Sequence, residues 1–334
     1  MAPLVSRAAV LGTGRIAVLG TGLIGGSFAL AVRQVLPGIR IAGWDKPDVL
    51  ERALELGVVD EASPQLQEVV KRADLVYIAL PVGLAIERLP EIARHVPRHA
   101  LVTDACSTKR ALCAAADKCF SEDVLFLGGH PMAGSEVSGI DGADASLFQG
   151  AKYALVGTAA EGASGVEPGP ISGHPILGNQ ISGDAISADR ISEEKIGRIE
   201  QGEARIANFV RLIESIGARP IWIDAETHDR ATAFVSHLPQ LVSIALAGVT
   251  REATDQTGLP LTLAGRGLRD ALRLAGSPYS VWRDIVLTNT DNLDMALDRL
   301  IQAIEHLRAH LRQRELEEEF AAANDVYKLL HNLR

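Results

Sequence analysis

Positive charge is scarce in this chain: 33 lysines and arginines stand against 42 aspartates and glutamates, a formal net charge of −9. That balance excludes the electrostatic footprint of a nucleic-acid or anionic-membrane partner, so an acidic ligand has to be held by individual arginines. Cysteine is scarce too. Cys106, Cys113 and Cys119 lack the C-x-x-C spacing of a zinc knuckle and are too few for a disulfide framework, so reduced structural thiols, no metal and a cytoplasmic setting are expected. Aromatics make up 4% of the residues, and none lies between 159 and 203. Long uncharged runs are interrupted. Ile16 to Val32 is studded with glycine, and Ala231 to Thr250 carries His237, Pro239 and Gln240, which suit a site better than lipid.

What is abundant is ordinary for a soluble protein: 47% hydrophobic and 22% charged residues over 334 positions, enough for about two domains. The string LGTG occurs twice near the start. The first copy, Gly12-Thr13-Gly14, leads into another apolar run and makes a poor phosphate loop. The second, Gly20-x-Gly22-x-x-Gly25, follows a strand-like run and opens a helix-like one. Those glycines permit a tight turn, close approach of backbone to a pyrophosphate, and packing of the helix on the strand. Asp45 ends the next strand-like run, IRIAGWD, where an acidic group meets the adenosine ribose. Its charge favours NAD and disfavours NADP, a preference Lys46 could soften. Leu23 and Ile24 behind the loop, and Pro81 at the stop of ADLVYIALP, complete the expected cofactor contacts.

Beyond Asp45, strand-like runs ADLVYIALP, HALVTDACS, DVLFLGGHP and AKYALVGT bring the total to six, alternating with helical segments or loops. This pattern predicts an α/β unit, a Rossmann-type doubly wound and mainly parallel sheet over residues 1–158. Residues 159–203 are rich in Gly, Ser, Ala, Pro and acids and are expected to form a flexible insertion whose last part starts a helix. An all-helical second domain is expected over 204–334, for substrate binding and dimerisation. Leu293, Leu297, Leu300, Ile304, Leu307 and Leu311 form a seam at spacings of four and three that needs a partner, either within the domain or in a second subunit of a homodimer.

Two stretches carry reactive side chains at strand ends, TDACSTK and GGHPMAGSE. His130, between glycines and Pro131, suits a general base, and Ser107 could orient it or its substrate. From these residues the resemblance becomes specific. The chain resembles the prephenate/arogenate dehydrogenase family in GTGLIGGS with Asp45, DACSTK, HPMAGSEVSG, HDRATAFVSHLPQ and LRDALRLAGSPYSVWRDI. The resemblance implies NAD-dependent oxidation of a cyclohexadiene alcohol, prephenate or arogenate, with loss of its ring carboxylate as carbon dioxide. It also implies that His130 accepts the hydroxyl proton, Ser107 positions the hydroxyl, and Arg273 binds a substrate carboxylate with Asp270 holding its orientation. Ser236, His228 and Glu136 are implied to line or gate the site. Gln240 stands where many members have a second histidine facing the substrate side chain, which leaves the choice between keto acid and amino acid open. A β-hydroxyacid dehydrogenase would need a catalytic lysine in the second half, where Lys328 is the only lysine after residue 200. An NAD sensor would need the loop without His130, Ser107 and Arg273.

Overall fold

The computed structural model describes residues 14–121, 124–135, 137–157, 193–312 and 316–332. Among them, eight strands form one sheet: β1 (Arg15–Leu19), β2 (Arg40–Trp44), β3 (Glu61–Ala62), β4 (Leu75–Ile78), β5 (Leu101–Asp104), β6 (Leu125–Pro131), β7 (Lys152–Val156) and β8 (Arg219–Trp222). Their spatial order is β3-β2-β1-β4-β5-β6-β7-β8. Neighbours run parallel except β6 and β7, which are antiparallel. The six strand-like runs of the sequence are all present. The order reverses between β1 and β4, and in open sheets ligands bind beyond the strand ends at such a reversal.

Helices α1 (Leu23–Val35), α2 (Pro47–Glu55), α3 (Leu66–Val70), α4 (Val82–His95), α5 (Arg110–Cys119) and α6 (Glu193–Ser215) cover the sheet. The period-two alternation of a strand divides β1 between two cores. Ile16 and Val18 join Phe28 and Val32 of α1 on one face, while Ala17 and Leu19 join Leu89 and Ile92 of α4 on the other.

The sheet extends past the expected domain boundary at 204. Ile206, Phe209, Val210 and Ile213, spaced as one helical face, are buried in the first core, and the Phe209 ring meets Tyr153 edge-on. The chain then adds β8 beside β7. The expected insertion therefore divides: residues 158–192 lie outside the described residues, and 193–203 belong to α6.

The helical unit follows β8, with α7 (Ala225–Thr232), a π-helical turn (Ala233–His237), α8 (Leu238–Thr257), α9 (Leu259–Thr262), α10 (Arg266–Leu272), a three-ten turn (Arg273–Gly276), α11 (Tyr279–Thr288), α12 (Thr290–Ala309) and α13 (Leu316–Asn332). Asp224 caps α7 by accepting the Thr227 N–H at 2.9 Å. Gly258, at φ +71°, ends α8 in the left-handed conformation. The continuous run Ala225–Thr257 is long and apolar enough to cross a membrane by length and composition. It nevertheless turns His228, Asp229, His237 and Gln240 into the protein interior.

Several polar contacts join the two units. Arg110 of α5 forks onto Asp291 of α12, the Thr108 and Thr288 hydroxyls meet at 2.7 Å, and the Gly83 N–H donates to Asp284 at 3.2 Å. The leucine seam is only half covered: Leu293 is buried, while Ile304, Leu307 and Leu311 are exposed.

Candidate active site

The second glycine loop has the shape its sequence demands. Gly20 has φ +89°, and a Cβ there would stand 2.3 Å from the Ala79 carbonyl oxygen; a Cβ on Gly25 would stand 1.9 Å from that of Gly20. Neither clash is relieved by a rotamer change, because the obstacle is backbone. Gly22 instead faces open space, with nothing within 4 Å of an added Cβ. The first turn of α1, opened by Leu23 and Ile24, therefore presents its N–H groups beside an open surface, a cradle for an anion. Asp45 closes β2. One of its oxygens accepts the Thr21 N–H at 2.7 Å and the Thr21 hydroxyl at 3.3 Å, the other the Lys46 N–H at 2.8 Å. This fixes a carboxylate beside the loop, as a dinucleotide ribose requires. Pro81 sits at the start of α4, on the far side of the sheet reversal.

A second construction holds the end of β6. Asp104, fully buried, accepts the Gly129 N–H at 2.9 Å through one oxygen, and the Cys106 N–H at 2.8 Å and the Lys109 ammonium through the other. Lys109, equally buried, also donates to the Gly129 carbonyl at 2.6 Å. The ion pair thus grips both polar groups of the residue before His130. Burial works against the Lys109 ammonium, but the adjacent Asp104 carboxylate outweighs it and raises its pKa above the ordinary lysine value. Gly129 itself packs so closely that a Cβ would stand 2.4 Å from the Asp104 carbonyl oxygen.

His130 lies within β6 and is 9% exposed. Its Nδ1 is 2.9 Å from Nε2 of His228, and Nδ1 of His228 is 2.8 Å from Asp229. Asp229 also accepts the N–H groups of Lys109 and Arg110 at 2.7 and 2.9 Å. A carboxylate of the helical unit thereby caps α5 of the sheet unit, next to the Lys109 clamp. Ser107 is half-buried in the turn between β5 and α5.

The π-helical turn explains how one helix serves this site. The Leu238 N–H bonds to the Ala233 carbonyl five residues back, a widened turn that resets which side chains of α8 point inward. Ser236 is half-buried on that turn, and His237 is buried, its Nδ1 accepting from Asn289 at 3.2 Å and its ring edge-on to Trp282. His237 Nε2 is buried with no hydrogen-bond partner among the described residues.

Gln240 is buried as well. Its Nε2 donates to the Leu274 carbonyl at 2.9 Å, and its buried Oε1 has no partner among the described residues. One turn on, Ser243 donates to the Ala271 carbonyl and accepts the Ala275 N–H, both near 3.0 Å. Together they pin the segment carrying Arg273 onto α8. Arg273 and Asp270 do not share a single α-helix: α10 ends at Leu272, and Arg273 opens the three-ten turn with its N–H on the Asp270 carbonyl. Both side chains are exposed. Glu136 lies outside the described residues.

Burial, reinforced by His228, Lys109 and His237, holds His130 well below the ordinary histidine pKa of 6.5. Burial likewise lowers His237 to about 4. Both rings are neutral in the fold, whereas unfolded histidines take up protons near 6.5. The unfolded state then binds more protons below that value, and stability falls as pH drops from about 6.5 toward 4. His237 alone accounts for about 3 kcal/mol of this loss. Chemical denaturation across that range should show the decline; a flat profile would contradict the buried neutral rings.

Comparison with known proteins matches this arrangement. The family model for the nucleotide-binding domain of prephenate dehydrogenase matches residues 28–168, and that for its dimerization domain matches residues 224–323. Prephenate dehydrogenase of Bacillus subtilis (strain 168) is 33% identical over 301 residues, 90% of this chain and 70% of the relative. The chain belongs to the prephenate dehydrogenase family. The crystal structure of prephenate dehydrogenase from A. aeolicus in complex with hydroxyphenyl propionate and NAD+ has a TM-score of 0.71 at 25% identity, covering 95% of this chain and 96% of that one. Synechocystis arogenate dehydrogenase has a TM-score of 0.66 at 26% identity, covering 95% and 99%.

Membership in this family accounts for the sheet and the helical unit. It does not by itself explain four buried groups that the sequence reading left out as site residues: Asp104, Lys109, Asp229 and His237. The signals were present. Lys109 and Asp104 are the outer members of D-x-x-S-x-K, and Asp229 completes the His-Asp pair.

Proposed function

We propose that this protein oxidises prephenate, or its amino counterpart arogenate, with NAD as cofactor, and releases carbon dioxide as the ring becomes aromatic. The observation that carries this reading is His130, buried at the end of β6 and bonded through Nδ1 alone among the described residues. Its Nε2 is left to accept the C4 hydroxyl proton. When bound, NAD supplies the acceptor for the C4 hydride. As the hydroxyl proton passes to His130, the bond from C1 to the carboxylate breaks, its electron pair enters the ring and carbon dioxide leaves. Aromatisation makes the step effectively irreversible.

In this reading Ser107 orients the hydroxyl, and the planar Arg273 fork takes a substrate carboxylate from its pinned turn. His228 supports His130, and Ser236 and Asp270 line the approach, while Glu136 is assigned to the site by its motif alone. Asp45 selects NAD over NADP by repelling a ribose phosphate. The exposed apolar side chains Val235, Val249, Ile304 and Leu311 support a homodimer built through α8 and α12. The inward polar groups of Ala225–Thr257 support a soluble, cytoplasmic protein over a membrane-spanning one. The test is NADH formation on adding NAD with prephenate and, separately, arogenate; no NADH from either overturns the assignment.

Gln240 favours arogenate. One N–H of its amide is committed to Leu274, while its buried Oε1 has no partner among the described residues and needs a donor. The arogenate ammonium offers one, whereas the pyruvyl group of prephenate offers only acceptors. Gln240→Met should lower kcat/KM for arogenate about tenfold more than for prephenate. An equal loss on both substrates would remove Gln240 from side-chain selection.

A further inference from the structure

The Asp229–His228–His130 chain settles the placement of protons by elimination. Asp229 can only accept, so the nitrogen facing it, Nδ1 of His228, carries a proton. A neutral His228 then has a lone pair on Nε2, and the group 2.9 Å away, Nδ1 of His130, must donate to it. That leaves the lone pair of His130 on Nε2. The opposite arrangement needs a doubly protonated His228, which donates to His130 and moves the free proton of His130 to Nε2, where no base remains. Burial of the whole chain favours the first, which places no net charge on either ring. Arg110, from the sheet unit, is answered by Asp291 and Glu226 of the helical unit. Asp104 already answers Lys109, His237 is held neutral, and Asp229 takes two backbone N–H groups besides His228.

We propose that Asp229 is a positioning residue of the reaction: acting through His228, it fixes His130 in the tautomer whose Nε2 is free to take the substrate hydroxyl proton. This rests on the reading of His130 as the base. As His130 gains that proton at Nε2, its Nδ1 proton can pass to His228 Nε2, and the positive charge moves one ring closer to the Asp229 carboxylate. No proton is created or lost along the chain. The arrangement has the logic of a triad, in which a buried carboxylate sets the tautomer of a histidine without itself becoming protonated. Here an additional imidazole is interposed, and the carboxylate comes from a different unit of the fold from the base. Docking of the helical unit on the sheet therefore also completes the base.

The experiment combines nitrogen NMR of histidine-labelled protein with steady-state kinetics. In the wild type at neutral pH, His130 should carry its proton on Nδ1 and none on Nε2. In Asp229→Asn the amide can donate to His228, which reverses both tautomers. The NMR pattern of His130 should invert, and kcat should fall by about 10²–10⁴-fold with KM changed only a few-fold. Asp229 also caps α5, so a second pair of variants guards against simple misfolding. His228→Gln retains an acceptor for the Nδ1 proton of His130 and should keep at least tenfold more activity than His228→Leu, which retains none.

An unchanged His130 tautomer in Asp229→Asn, or equal losses in the glutamine and leucine variants, overturns the proposal. If the wild type oxidised neither prephenate nor arogenate, the functional reading would fail. The tautomer measurement would still decide this inference.

Discussion

Replacing His130 with alanine is expected to lower kcat by about 10²–10⁴-fold while leaving dinucleotide binding within a few-fold of wild type. The separation follows from the sheet. The glycine loop and Asp45 belong to the ends of β1 and β2, whereas His130 ends β6, with β4 and β5 between. Deleting the imidazole empties a position gripped from behind by Asp104 and Lys109, and those contacts are to the backbone of Gly129, which the substitution retains. The fold should therefore survive. The pH profile gives a second reading of the same residue. Because burial holds His130 well below 6.5, the wild-type base stays unprotonated as pH falls through that value, and the acid limb of kcat/KM belongs below it. Full activity in the alanine variant, or an acid limb centred at 6.5 or above, would remove His130 as the base. Calorimetric titration of NAD into the variant checks the binding half of the expectation.

How far the sequence revealed this site depended on the kind of constraint at each residue. The glycine loop was legible because its constraint is local. Gly20 needs a positive φ, and Gly25 leaves no room for a Cβ against the neighbouring turn, so residue type alone records the geometry. The six runs up to Val156 were legible because strands of a sheet covered on both faces read as nearly continuous apolar segments. β8 was not: Arg219-Pro220-Ile221-Trp222 is short, contains proline, and is a strand only because β7 offers an edge to it. That single pairing moved the domain boundary beyond 204. Asp229 was legible as part of a family motif, but its role was not, since its partners Lys109 and Arg110 lie 120 and 119 residues away. The leucine seam was half legible. Its first turns meet the helical unit and its last ones face outward, a difference that periodicity cannot express. Arg273 reversed the pattern: its motif assigned it to the site, while in the structure its side chain is exposed on the three-ten turn.

Lys109→Met should be the most destabilising single substitution in this region, costing about 3–5 kcal/mol, because it strands a buried carboxylate. Asp104 and Lys109 are both fully inaccessible to solvent. Methionine fills much of the lysine stem's volume, so the loss comes from charge and hydrogen bonding more than from a cavity. Without the ammonium, Asp104 keeps only the N–H groups of Cys106 and Gly129, and the Gly129 carbonyl loses a donor. A loss of that size is a large share of the 5–15 kcal/mol that typically separates folded from unfolded protein. The denaturation midpoint should drop clearly, and the rate should fall in whatever folded enzyme remains, since His130 follows directly on the loosened residue. The charge argument has its own control. Asp104→Asn in the Lys109→Met background removes the stranded charge while keeping an acceptor for Gly129, so the double variant should be more stable than Lys109→Met alone. If Lys109→Met unfolds at the wild-type midpoint, or the double variant is the weaker of the two, the ion pair is not what holds the catalytic strand end in place.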